Sequence, residues 1–130
     1  MISISKKVEY SISLITYLSK FEGKIISLKD ASRELGLPYR FLAQLASSLK
    51  QGGLLESKEG KTGGYNLEKG WKSRNIYDLV KALGENDHMV KCLAGEKCVR
   101  EAKCSAKLIW QKLETVFVDE LKNIKLSELQ

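Results

Sequence analysis

Three cysteines, Cys92, Cys98 and Cys104, recur at a strict six-residue interval, and a lysine precedes each: Lys91, Lys97 and Lys103. They are the only thiols in the chain, and an odd number argues against a closed disulfide framework. Soft thiolates at tight spacing suit zinc, Cu(I) or an iron–sulfur cluster. The neighbouring lysines favour the thiolate and offset the negative charge of a cysteine-ligated metal centre. On an α-helix six residues turn through roughly 600°, about 240° net, so the three sulfurs would not share a face. The segment is therefore expected to wrap as a loop, eased by Gly95, and to lack one ligand.

Structural zinc and iron–sulfur clusters both usually take four protein ligands. His88, the single histidine, lies four residues before Cys92 and is a candidate, although a lone loop histidine is more often polar surface. No histidine follows Cys104, and Lys107 cannot ligate as an ammonium. The carboxylates Glu96, Glu101 and, from the first helix, Glu9 complete the set. Two other readings stand beside metal: a metal-free thiol redox switch, and inert buried cysteines, for which a lysine-rich loop is a poor setting. Enzymatic constellations are absent, with one histidine, no histidine–glutamate metal motif and no serine nucleophile elbow. Gly60-Lys61-Thr62 invites a phosphate-loop reading, but Leu55 stands where the motif needs its first glycine. The chain reads as a binding module and not as an enzyme.

The elements that position these groups follow from periodicity. From Ser5 to about Phe21, Val8, Ile12, Ile15 and Leu18 recur at helical spacing, and Gly23 stops the run. Ser27, three residues before Asp30, opens a short helix through Leu35, a variant of the capping box. Gly36 closes it, and Pro38 suits the first turn of a helix to about Gln51 with Phe41, Leu42, Leu45 and Leu49 inward. Two helices around a short glycine-containing turn form a helix-turn-helix. Leu54–Lys58 and Tyr65–Leu67 read as strands flanking a glycine-rich tip, which makes a winged helix. Asn75 caps a further helix from Ile76 to Leu83, ended by Gly84. After the cysteines, Ser105 to about Ile124 forms a long helix. Its stripe of Leu108, Ile109, Leu113, Val116, Phe117 and Leu121 exceeds what one small domain needs, which points to a partner chain; Trp110 and Val118 lie off it.

At 130 residues the chain is one domain's worth, and a formal net charge of +6 suits an anionic partner such as nucleic acid. The second helix of the pair offers Tyr39, Arg40, Ala43, Gln44, Ser47 and Lys50 for the DNA major groove. There Gln44 is able to pair with adenine and Arg40 with guanine. Ser27 and Lys29 at the start of the first helix, and Lys58, Glu59, Lys61, Thr62 and Gly63 in the wing, complete the candidate DNA contacts. The bland alternatives are an ordinary amphipathic helix and a solvated hairpin. The hairpin and the basic balance together favour DNA. No apolar run approaches the ~20 residues of a membrane span, and the first residues lack the order of a signal peptide, so a cytoplasmic protein with reduced cysteines is expected.

The combination of Gly63-Gly64-Tyr65 in the wing, three cysteines at six-residue spacing, a long helix and a terminal Leu126-Ser127-Glu128-Leu129 resembles the iron–sulfur cluster regulator (IscR/NsrR/RirA-like) family of bacterial winged-helix transcription regulators. The resemblance implies a homodimer on a pseudo-palindromic operator, with the long helices crossed and one [2Fe-2S] or [4Fe-4S] cluster per subunit. It assigns Cys92, Cys98 and Cys104 as thiolate ligands. Family members with a histidine three residues after the last cysteine differ from this chain, which has Lys107; others take an acidic residue from the partner's first helix, matched here by Glu9. The chain also carries Glu59 where the family's wing has an arginine, and Ala43 where it has a glutamate. The implied fold is mainly α with a small β-hairpin, a winged helix-turn-helix plus a long C-terminal dimerisation helix. Its expected division is 1–84 for DNA binding, 85–104 for the cluster and 105–130 for dimerisation. The implied function is a DNA-binding repressor whose operator affinity is set by an iron–sulfur cluster that senses iron, nitric oxide or redox state. A metal-free thiol or cysteine-metabolism repressor, or a zinc-stabilised interaction module, is the alternative.

Overall fold

The computed structural model describes residues 4–84 and 106–129. Cys92, Cys98, Cys104, His88, Glu96 and Glu101 lie outside the described residues. Among those described, five α-helices and one antiparallel hairpin follow in the order α1 (Lys6–Ser19), α2 (Leu28–Leu35), α3 (Tyr39–Gln51), β1 (Leu55–Lys58), β2 (Gly64–Leu67), α4 (Ile76–Ala82) and α5 (Ala106–Asn123). Short 3-10 turns occupy Trp71–Ser73 and Leu126–Leu129. This is the winged helix-turn-helix with a long C-terminal helix that the periodicity predicts.

Local chemistry sets the boundaries. Ser5 caps α1, its Oγ accepting from the Val8 amide at 3.3 Å. Ser27 caps α2 by accepting from the Asp30 amide at 3.2 Å, while the Asp30 carboxylate turns to Arg33 at 2.7 Å. The full reciprocal box forms instead at α4. There Asn75 Oδ1 accepts from the Asp78 amide at 2.9 Å, and Asp78 Oδ2 accepts from the Asn75 amide at 3.0 Å. Pro38 stands one residue ahead of its expected place, as the cap residue of α3, with extended backbone and no side-chain bond to the helix.

Leu14, Ile15, Leu42, Leu49, Leu54, Leu79 and Leu126 are fully buried, so α1, α3, the hairpin root, α4 and the C-terminal tail share one core. Trp71, unassigned by periodicity, is buried in the same core, and its Nε1 donates to Glu22 Oε1 at 3.1 Å. The tail is pinned by backbone bonds as well. Ile76 N donates to Ile124 O at 2.9 Å, and Leu126 N donates to Arg74 O at 2.8 Å. By contrast, α5 contains no buried residue. Its Leu108, Ile109, Leu113, Val116 and Phe117 are exposed, whereas Trp110, Glu114, Val118 and Leu121 are half-buried on the other side. No described helix is long and apolar enough to cross a membrane.

Candidate nucleic-acid interface

Burial of Leu42, Leu45, Ala46 and Leu49 fixes the rotation of α3. A helix that buries that face must present the opposite one, and Arg40, Gln44, Ser47 and Lys50 are exposed there. Tyr39 is exposed in the first turn. Ala43 is half-buried and packs partly on the core, at the edge of the outward face. Phe41, expected inward, is half-buried and meets Tyr10 of α1 edge-to-face at 5.4 Å between ring centres. That contact anchors the start of α3 to α1.

The wing is registered by Leu55 opposite Leu67, Glu56 opposite Asn66, Ser57 opposite Tyr65 and Lys58 opposite Gly64. It is tied at two places. Leu54 N donates to Leu49 O at 2.9 Å, which fixes the root of the hairpin to the end of α3. Ile26 and Tyr65 exchange two backbone bonds at 2.9 Å each, which fixes β2 to the residue just before the cap of α2. That second tie needs glycine at position 64. A Cβ there would stand 2.2 Å from Ile26 O, closer than any side chain tolerates. The Gly63-Gly64-Tyr65 motif thus has a physical meaning: it brings the wing against the start of α2, where Ser27 is half-buried and Lys29 exposed.

The electrostatics suit a polyanion. Lys29, Arg40, Lys50, Lys58 and Lys61 are all exposed, and none is held in an ion pair among the described residues. Within the described residues, no ion pair has to break for these charges to meet phosphates or bases. Glu59 and Thr62 are exposed at the wing tip and Gly63 is half-buried, so Glu59 places one carboxylate among the cations.

Sequence reasoning missed Arg74. Its Nη2 donates to Gly52 O at 2.9 Å and its Nη1 reaches Gly53 O at 3.5 Å, while its Nε faces Asp78 Oδ2 at 3.3 Å. The signal was local: an arginine four residues before an aspartate at a helix start. Glu9, the candidate fourth metal ligand, is exposed in the first turn of α1 and pairs with Lys6 at 3.3 Å.

A protein-family model described as iron-dependent transcriptional regulator, Rrf2, matches residues 4–130. The chain belongs to the Rrf2 family. A regulator named IscR from Erwinia tasmaniensis is 31% identical over 128 residues, which cover 97% of this chain and 77% of that one. In solved structures, this Rrf2-family chain superposes on CymR, the global cysteine regulator of B. subtilis, with a TM-score of 0.79 at 25% identity, covering 99% and 96% of the two chains. It superposes on T. potens IscR with a TM-score of 0.76 at 25% identity, covering 98% and 85%. Like its Rrf2 relatives, the chain is a transcriptional regulator of a DNA-binding family and not an enzyme.

Proposed function

We propose that the chain is a homodimeric repressor that grips a pseudo-palindromic operator with α3 and the wing, and that an iron–sulfur cluster held by Cys92, Cys98 and Cys104 sets its affinity. The observation that carries this reading is a coincidence in one chain. Three thiols at six-residue spacing lie within a match to a family described as iron-dependent. The domain division at 84 and 104 belongs to the same proposal.

The donor set fits the group. Three thiolates suit iron, and the lysine before each lowers the cost of ionising it. Glu9 fits as the fourth donor, contributed to the partner subunit's cluster. Among the described residues its carboxylate is held by an exposed pair with Lys6, worth about 0.2–0.5 kcal/mol on a helix, which a metal would readily displace. His88 is the weaker candidate. When bound, the cluster supplies an iron-, nitric-oxide- and redox-sensitive link among these donors. The rest is done by the chain itself. Arg40 and Gln44 read bases, Lys29, Lys50, Lys58 and Lys61 position the phosphates, and α5 pairs two copies through Leu108, Ile109, Leu113, Val116 and Phe117.

Anaerobic purification tests the cofactor. Iron and acid-labile sulfide should be present together, Cys98→Ser should remove both, and Glu9→Ala should alter the absorption spectrum. Colourless, iron-free protein even after reconstitution would instead favour a metal-free thiol or cysteine-metabolism repressor. The likeness to the cysteine regulator of B. subtilis supports that second reading.

A further inference from the structure

Arg74 is bonded both to the chain just past the last turn of α3 and to the tail that follows α5. The Arg74 guanidinium binds the carbonyls of Gly52, the C-terminal cap residue of α3, and of Gly53, the residue after it. A cation at a helix C-terminus also complements the helix dipole. On its other side the guanidinium faces Asp78, whose carboxylate caps α4. The Arg74 carbonyl accepts from Leu126 N at 2.8 Å, three residues past the end of α5. Three further contacts stiffen the same junction. Asn75 bridges Lys125, Ile76 N binds Ile124 O at 2.9 Å, and Lys122 Nζ lies 4.9 Å from the centre of the Tyr77 ring.

Packing leaves little slack on the α3 side. A Cβ at Gly52 would meet Ala82 Cβ at 2.4 Å, so the end of α3 lies directly on α4. Arg74 and Asp78 are each about one-third exposed, so their pair is only partly screened by solvent. A short α4 is thus bonded to α3 on one side and to the tail of α5 on the other, with Arg74 common to both.

We propose that Arg74 is a positioning residue that fixes the angle between α3 and α5, and so sets the half-site separation the dimer accepts. This rests on the reading of α5 as the dimer helix and α3 as the groove-reading helix. Two α3 helices held at a fixed angle to a shared dimer axis reach major grooves only at one separation, because DNA half-sites repeat with the helical turn. Freeing the end of α3 lets each recognition helix swing and blurs that selection.

The test uses full-length wild-type protein, Arg74→Met and Arg74→Lys. A half-site is first obtained by selecting duplexes from a random pool with the wild-type protein. Affinity is then measured on duplexes carrying two copies of that half-site at graded separations, below the midpoint of thermal unfolding of each variant. Wild-type protein should show one sharp optimum. Arg74→Met should lose about tenfold at the optimum, the equivalent of one charge-assisted hydrogen bond, and little at the neighbouring separations, which flattens the profile. Arg74→Lys keeps the charge and one donor direction and should fall between, which also covers the case of a methionine variant that fails to fold. A profile lowered uniformly, or left unchanged, in both variants overturns the role of Arg74 while leaving the dimer reading intact. A wild-type profile with no optimum, together with monomeric sedimentation, overturns the dimer reading and the proposal with it.

Discussion

Gly64 shows how much of the interface hangs on single atoms. Because a Cβ would stand 2.2 Å from Ile26 O, Gly64→Ala should cost about 1–3 kcal/mol as an overpacked contact and loosen the wing from α2. Urea unfolding measures the loss, and DNA affinity should fall with it. The side chains on the outer face divide by what they would contact. Arg40→Ala or Gln44→Ala should cost about 1–3 kcal/mol and relax preference at one base position. Lys61→Ala should weaken binding on all sequences alike and lower the salt dependence by about one unit of slope. Competition titrations at several salt concentrations separate the two patterns. Glu59 works the other way: removing its carboxylate from the wing tip should strengthen non-specific binding. The glycines and the outward polar side chains were legible because their reasons are local. Trp71 was not, because Glu22 lies 49 residues away, and Arg74 was legible only in its pairing with Asp78, since its other partners, the Gly52 and Gly53 carbonyls, lie 22 and 21 residues away in the chain.

The helices were legible almost to their ends, since apolar spacing and capping residues act within one turn. Periodicity called for α1, α2, α3, α4 and α5, and each exists with ends shifted by a residue or two. Two details needed the folded chain. Asp30 is drawn off to Arg33, so the reciprocal box that its spacing invites is completed at Asn75 and Asp78 instead. In α5 the apolar residues off the stripe, Trp110 and Val118, are half-buried, as is Leu121 at the end of the stripe, while the rest of the stripe is exposed. A helix with two apolar faces cannot tell from its own sequence which one its domain will cover. The exposed face is where we place the second copy. Val116→Glu should therefore shift sedimentation from dimer to monomer and abolish two-half-site binding, with little loss of monomer stability, since Val116 is 61% exposed.

The molecule as a whole is organised around a tail that returns. Leu126 is fully buried in the shared core, and its turn packs on α1 and on the Trp71–Ser73 turn, so the chain leaves the winged helix after α4 and re-enters it after α5. The proposed divisions at 84 and 104 are thus functional regions strung along one chain, and the third is stitched back into the first. That closure was not legible, because a single leucine after a helix gives no periodicity to read. It has a functional consequence: whatever happens between residues 84 and 106 acts on two elements already fastened to each other through Arg74, Asn75 and Ile76. A cluster on the three cysteines would bias that junction and, with it, the pair of α3 helices. The most direct measurement is the affinity of one anaerobic preparation for its selected operator, before and after the iron is removed by chelation, at fixed salt. The expected result is a change of at least about tenfold, equivalent to ~1.4 kcal/mol of coupling, that reconstitution reverses and that Cys98→Ser lacks. Equal affinities for iron-loaded and stripped protein would contradict control by a cluster.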